Sequence, residues 1–173
     1  SSGGESRILR MGYGPDAIYT RMARRSLELW KQLFDHIARP QLFQPTGVLW
    51  LARERDPYCE ATLKTFQQNK EKFERLDGAE LRERYPQLEF GPVAWGMLEN
   101  ESGVLLARQA VQALVSAAQS AGVTYVQAAI RPPENGKDKL ESLVTPAGHK
   151  ILANKFVFAL IERVIIQRKF SVI

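Results

Sequence analysis

Ser1-Ser2-Gly3-Gly4-Glu5-Ser6-Arg7-Ile8-Leu9-Arg10-Met11-Gly12-Tyr13-Gly14 carries more side chains suited to ligand contact than any other segment of the chain. Four small residues stand in front of two arginines three positions apart, and a Gly-Tyr-Gly-Pro turn follows. Small residues let a backbone approach a bound group closely, because no Cβ stands between them. Arginine adds a planar, permanently charged fork suited to carboxylates and phosphates. On spacing alone two readings stay open: a flexible arm with solvated arginines, and a loop that holds an anion.

Outward from this stretch the chain divides into short elements. Ile18, Met22, Leu29, Trp30, Leu33, Phe34 and Ile37 recur at helical spacing between Arg21, Arg24, Arg25 and Lys31, which predicts a helix from Ala17 to Ala38 ended by Pro40. Gly47 to Ala52 is rich in β-formers and predicts a strand. Asp56-Pro57 starts a second helix, running to about Lys72, since Asp caps and Pro suits the first turn. Asp77 and Glu80 have capping-box spacing for a short helix that stops before Pro86. Val93 to Glu99 predicts a strand in which Ala94, Trp95, Gly96 and Met97 alternate between faces. Ala107, Val111, Leu114, Val115 and Ala118 mark a helix closed by Gly122. Val123 to Ile130 predicts a strand broken by Arg131-Pro-Pro-Glu-Asn-Gly136. A hairpin of Leu140–Val144 and Lys150–Leu152 follows around Thr145-Pro-Ala-Gly148, and Lys155 to Leu160 predicts a last apolar strand.

Composition removes several function classes. With 45% apolar and 25% charged residues, the 173-residue chain is an ordinary globular one. No apolar run approaches a membrane span, so no membrane partner is expected. One cysteine, Cys59, excludes an internal disulfide framework and fits a reducing, intracellular and cytoplasmic setting. Two distant histidines, His36 and His149, give no basis for a metal site. The net charge of +5 raises nucleic-acid binding, but the basic residues are interrupted by acids, as in Arg82-Glu83-Arg84. The densest cluster, Arg21, Arg24 and Arg25, lies on one helix and matches no nucleic-acid motif, so no nucleic-acid partner is expected.

The opening stretch resembles a segment of the FAD-dependent amine oxidases of the D-amino-acid-oxidase superfamily, in the branch of monomeric sarcosine oxidase and the N-methyl amino acid oxidases. There a Gly/Ser/His-rich loop leads into an Arg-Ile-hydrophobic-Arg run, a Tyr-Gly turn and a long helix. Here the likeness reads Ser6-Arg7-Ile8-Leu9-Arg10, Tyr13-Gly14 and Ala17 onward. Pro45-Thr-Gly-Val-Leu-Trp50, Leu76-Asp-Gly-Ala-Glu-Leu-Arg-Glu-Arg-Tyr-Pro86 and Ser102-Gly-Val-Leu-Leu-Ala-Arg108 follow in the family's order, so the resemblance covers roughly residues 1 to 159.

The resemblance implies a mixed α/β fold, part FAD-binding α/β layer and part antiparallel substrate-side sheet. It implies residues 1–44 and 101–159 in the FAD region, 45–100 on the substrate side and 160–173 as an atypical tail. It also implies site residues. Arg7 matches an arginine against the flavin ring, where a fixed cation stabilises the charge of the reduced ring. Arg10 matches an arginine that pairs with the carboxylate of an amino-acid substrate. Ser2, Gly3, Gly4 and Ser6 would border the cofactor, with Gly3 where that branch often has histidine. Ile130 and Arg131 lie near a strand end that holds the adenine side of FAD, or simply at the edge of a Pro-rich loop. Trp50 and Trp95 line a substrate pocket or pack the core, Tyr13 is a packing or turn residue, and Cys59 is a plain thiol.

No Gly-x-Gly-x-x-Gly occurs in the chain, so the usual cradle for the FAD pyrophosphate is expected in a missing parent segment. The C-terminal portion of the family is likewise expected elsewhere. Leu160 to Ile173 carries no likeness, and a shifted reading frame, an alternative end and a divergent strand all remain open. Two function classes follow. One is a fragment of an FAD-dependent oxidoreductase that oxidises a small N-methyl or secondary amino acid or amine, passing electrons to molecular oxygen or another acceptor. The other is a non-catalytic module that binds an anion or a partner chain. The isolated chain is expected to bind FAD weakly or not at all.

Overall fold

The computed structural model describes residues 4–131, 140, 142–158 and 170–172. Strand β1 (Arg7–Leu9) leads through the Gly-Tyr-Gly-Pro turn into helix α1 (Ala17–His36). The helix stops just before Ala38, which adopts a left-handed conformation with φ 53°. A 3-10 turn at Pro40–Leu42 precedes strands β2 (Phe43–Gln44) and β3 (Val48–Ala52). Asp56 caps helix α2 (Pro57–Asn69), its carboxylate accepting from the Cys59 amide at 2.9 Å, and left-handed Lys70 closes it. Strand β4 (Glu74–Asp77) runs straight into helix α3 (Gly78–Arg84). The predicted capping box is present there: the Asp77 carboxylate accepts from the Ala79 and Glu80 amides, and Glu80 accepts from the Asp77 amide. Strands β5 (Trp95–Glu99) and β6 (Gly103–Leu105) and helix α4 (Ala107–Ser120) come next. Strand β7 (Ala128–Ile130), the hairpin strands β8 (Ser142–Val144) and β9 (Lys150–Leu152), and β10 (Phe170–Val172) complete the chain.

The chain forms two compact units, residues 2–114 and residue 1 with 115–173. The first holds two antiparallel three-stranded sheets, in strand order β1-β6-β2 and β3-β5-β4. In the second of these, Val48 lies opposite Glu99, Trp50 opposite Met97 and Ala52 opposite Trp95. Opposed residues share a face, so Trp95, Met97, Glu99 and Trp50 all point one way. That face meets the main core, where Leu27 and Phe34 of α1, Phe66 of α2, Leu42, Leu105 and Ala110 are buried. Leu49, Gly96 and Leu98 point the other way, toward a smaller core of Leu76, Leu81 and Phe90. A Cβ on Gly96 would stand 3.0 Å from Leu81, so glycine is what lets α3 lie on the sheet. In the β1-β6-β2 sheet, a Cβ on Gly103 would collide with the Gln44 carbonyl.

In the unit that includes 115–173, β7 pairs with β10 and β8 with β9, and Arg131 N donates to the Val144 carbonyl at 2.8 Å. Ile130 and Leu143 are buried.

The mixed α and β class with antiparallel sheets is the expected one, and the elements differ in four places. The short strands β1, β2, β4 and β6 are too brief for their alternation to register in sequence. Helix α1 buries Thr20, Leu27 and Phe34, while Ile18, Met22 and Leu29 of the predicted apolar stripe stay about half exposed. The predicted strand over 123–130 shrinks to Ala128–Ile130, because Val123 N donates back to Ala118 O and so belongs to the closure of α4 at Gly122. Residues 155–158 form no strand, and 159–160 lie outside the described residues.

Candidate functional site

The site grows from residues 10–14, the peptide between β1 and α1. Hydrogen bonds from three elements fix this peptide. Glu99 at the end of β5 accepts from Met11 N at 2.6 Å and from Gly12 N at 3.1 Å. Thr20 of α1 donates its hydroxyl to Met11 O at 2.9 Å. From α2, Thr62 accepts from Gly14 N at 3.1 Å, and Thr65 donates to Gly14 O at 2.8 Å. Thr20, Thr62, Thr65 and Glu99 are all buried, so this polar network is sealed from water and satisfied internally. The glycines are required by the close fit. A Cβ on Gly12 would stand 2.7 Å from the Trp50 ring and 3.0 Å from both Glu99 and Thr62. Gly14 has φ 63°, and its Cβ would stand 2.8 Å from Tyr58.

Arg10, at the head of this clamped peptide, lies over two rings. Its guanidinium carbon is 4.7 Å from the centroid of Trp50 and 5.3 Å from that of Tyr13. These are cation–π distances. Trp50 is itself oriented, donating from Nε1 to Glu99 at 2.6 Å and tilting against Tyr58. Among the described residues Arg10 is in no ion pair, whereas Arg24, Arg25, Arg84 and Arg108 each pair with a carboxylate. A guanidinium held over ring faces keeps N–H donors for an incoming acceptor.

Arg7 has different neighbours. It donates to the Ser6 carbonyl at 2.8 Å, and its guanidinium occupies the space a Cβ on Gly4 would need. Glu5 next to it pairs with Arg108 at 2.9 Å. Gly4, Ser6 and Arg7 therefore form one local arrangement, and Arg10 with Trp50 and Tyr13 another. Ser2 and Gly3 lie outside the described residues. Ile130 and Arg131 belong to the other unit, where the Arg131 amide and guanidinium donate to the carbonyls of Val144 and Pro146.

Trp95 is core: it is buried and carries Arg75 at 5.0 Å over its ring. Of the basic cluster on α1, Arg24 is tied to Glu71 and Glu101. Burial disfavours its charge, but those two carboxylates outweigh it and hold its pKa above the ordinary value. Burial, then the charge of Asp56, pushes the Cys59 thiol up to about 11. Among the described residues no three side chains form a metal-binding group, and no helix is long and apolar enough to cross a membrane.

A family model described as FAD dependent oxidoreductase matches residues 1–160. The chain belongs to this family. Among its relatives, human peroxisomal sarcosine oxidase is 33% identical over 122 residues, covering 70% of this chain and 31% of the relative. N-methyl-L-tryptophan oxidase of Citrobacter koseri is 30% identical over 119 residues, covering 69% and 32%. The amino acid oxidase NikD of nikkomycin biosynthesis shares the fold, with TM-score 0.63 and 22% identity over 84% of this chain and 38% of that one. This FAD dependent oxidoreductase chain thus spans about a third of the length of the curated relatives it matches.

Glu99, Thr20, Thr62 and Thr65 were not singled out from sequence. For Glu99 a signal existed: alternation from Trp95 and Met97 places the next residue but one, an acid, on the core face. The threonines gave none, since Thr on a helix is ordinary and its partner here is a distant loop.

Proposed function

We propose that this chain supplies the substrate-anchoring arginine and the flavin-facing loop of an FAD-dependent oxidoreductase that oxidises a small N-methyl or secondary amino acid. The observation that carries the proposal is Arg10, half-buried on an aromatic shelf and presented from a peptide held by four buried side chains. Its fork receives the substrate carboxylate and fixes the direction of the rest of the molecule. The names of two relatives, a sarcosine oxidase and an N-methyl-L-tryptophan oxidase, support an N-methylated amino acid as the substrate class.

In the intact enzyme the carbon beside the substrate nitrogen loses a hydride equivalent, and water hydrolyses the resulting imine. Bound FAD would supply the two-electron acceptor, and dioxygen, leaving as peroxide, or another carrier would take the electrons on. The ring side of that cofactor is read onto this segment, where side-chain-free Gly4 lies against the Arg7 guanidinium, a permanent charge suited to a developing negative charge. The backbone amides of Gly4 and Ser6 lie beside it, while the Ser6 carbonyl is taken by Arg7. The Arg131 backbone amide and one of its guanidinium nitrogens are engaged within its own unit, and an adenine-side role for Ile130 and Arg131 is supported by the resemblance alone.

Titration of the full chain with sarcosine, methylamine and inorganic phosphate tests the reading, followed through the NMR signals of the Arg10 Nε–H and the Trp50 indole N–H. Sarcosine is expected to move both, methylamine neither, and Arg10→Ala to abolish the response. Equal responses to sarcosine and phosphate would mark a general anion-binding module instead. Silence toward sarcosine would sink the proposal.

A further inference from the structure

The carboxylate of Glu99 collects four donors from three places in the chain. Oε1 accepts from Gly12 N and from Trp50 Nε1, and Oε2 accepts from Met11 N and from the Ser102 hydroxyl. Two of these belong to the peptide immediately after Arg10. A third belongs to the ring on which the Arg10 guanidinium lies. One side chain therefore sets both the root and the rest of Arg10.

The arrangement also acts through the ring. An anionic acceptor at the indole N–H polarises the ring toward greater electron density on its faces, which strengthens its attraction for the cation above. Glu99 is buried at 2% exposure and faces inward from β5, so the contact is shielded from solvent. Glutamine does not replace it. It offers one oxygen where two are needed, and its NH2 opposes donors of the same kind.

We propose that Glu99 is the positioning residue of the Arg10 site, holding the backbone of residues 11–12 and the Trp50 indole in one register so that the guanidinium fork faces a ligand carboxylate in a fixed direction. The link to a ligand rests on the reading of Arg10 as the carboxylate anchor. The control over Arg10 itself does not.

Three full-length chains test it: wild type, Glu99→Gln and Trp50→Phe. The second variant keeps an aromatic face under Arg10 while deleting the donor to Glu99, so it separates the tether from mere packing. The readouts are the 15N relaxation of the Arg10 Nε–H, the amide shifts of Met11 and Gly12, and the affinity for acetate. Amides near Phe66 and Leu81 report whether the cores are intact. Wild-type Arg10 is expected to be ordered, and both variants to release it to the mobility of a solvated arginine with the cores unmoved. Acetate affinity then falls ~10-fold, the scale of one lost charge-assisted contact.

Arg10 remaining as ordered as in wild type, while Met11 and Gly12 shift, would overturn the proposal and leave Glu99 as a structural clasp. If Glu99→Gln does not fold, Trp50→Phe decides alone by the same criterion. If both variants release Arg10 but wild type binds no acetate, the positioning role stands and the carboxylate-anchor reading is the one that fails.

Discussion

Trp50 and Glu99 sit diagonally across neighbouring antiparallel strands, on one face of the sheet, with the indole Nε1 donating to Glu99 at 2.6 Å. The pairing register that opposes Val48 to Glu99 and Trp50 to Met97 creates this contact. A slip of either strand by one residue would turn its member of the pair to the other face and break the contact. The orientation of Arg10 is thus tied to strand pairing far downstream, as well as to the segment that contains it.

The peptide beneath that contact tolerates no added side chain. Gly12→Ala places a methyl against the Trp50 ring, Glu99 and Thr62 together, all buried or half-buried. Overpacking at such a point costs about 1–3 kcal/mol. Urea unfolding is expected to show a midpoint lowered accordingly, and the Trp50 indole signal to move in the folded fraction. A variant as stable as wild type with an unmoved indole would mean that the loop stands further from the sheet.

Thr20 offers a cleaner measurement, because it is fully buried and its hydroxyl donates to Met11 O. Thr20→Val keeps the shape and removes the donor, and the expected loss is about 1–3 kcal/mol. Thr65→Val removes the donor to Gly14 O and is expected to act in the same range. The paired substitution tests whether one loop is held: the double variant should lose less than the sum, since the second change acts on a peptide already loosened.

Much of this architecture was legible in the residues. The capping box at Asp77 and Glu80, the Asp56-Pro57 start and the Gly122 stop each announce themselves within four positions, because the physics of a helix end is local. Arg10 was legible as a candidate for the same reason, lying in a run with a distinctive composition. The clamp around it was not. Glu99 and Met11 are 88 positions apart, Thr65 and Gly14 are 51 apart, and only the folded register brings them together. The apolar stripe of α1 misled at Ile18, Met22 and Leu29, because periodicity marks a candidate face and packing selects which part of it is buried.

The ion pairs that tie α1 to the loop after β5 give a pH dependence of known sign. Hydrogen bonds from Lys72, then from Arg24, hold the Glu101 carboxyl below its ordinary value of 4.5. A carboxyl depressed in the folded state contributes stability that is present above the ordinary value and lost as pH falls through the lower folded one. The group is largely solvated, so the contribution is at most about 1 kcal/mol. Glu101→Gln is expected to be slightly less stable than wild type at pH 7, and the two urea midpoints to converge well below pH 4.5. A gap that persists in acid would show that the effect of the substitution is not electrostatic.

Cys59 sits in the first turn of α2, a position where the helix dipole by itself lowers a thiol pKa. Here the opposite holds. Burial, then the negative charge and hydrogen bond of the capping Asp56, outweigh the dipole and raise the thiol to about 11. At pH 8 that leaves about 0.1% thiolate, ~100-fold less than for an ordinary thiol with a pKa near 9. Alkylation by iodoacetamide is therefore expected to be at least ~100-fold slower in the native chain than in urea, read by mass spectrometry. Asp56→Asn keeps a capping oxygen for the Cys59 amide while removing the charge, so it should speed the native reaction without unfolding α2. Burial is the larger cause, so the acceleration should stay well short of the rate in urea. Equal rates in native wild type and urea would mean that the thiol is exposed through opening of α2, and that its environment in the folded state does not govern its chemistry.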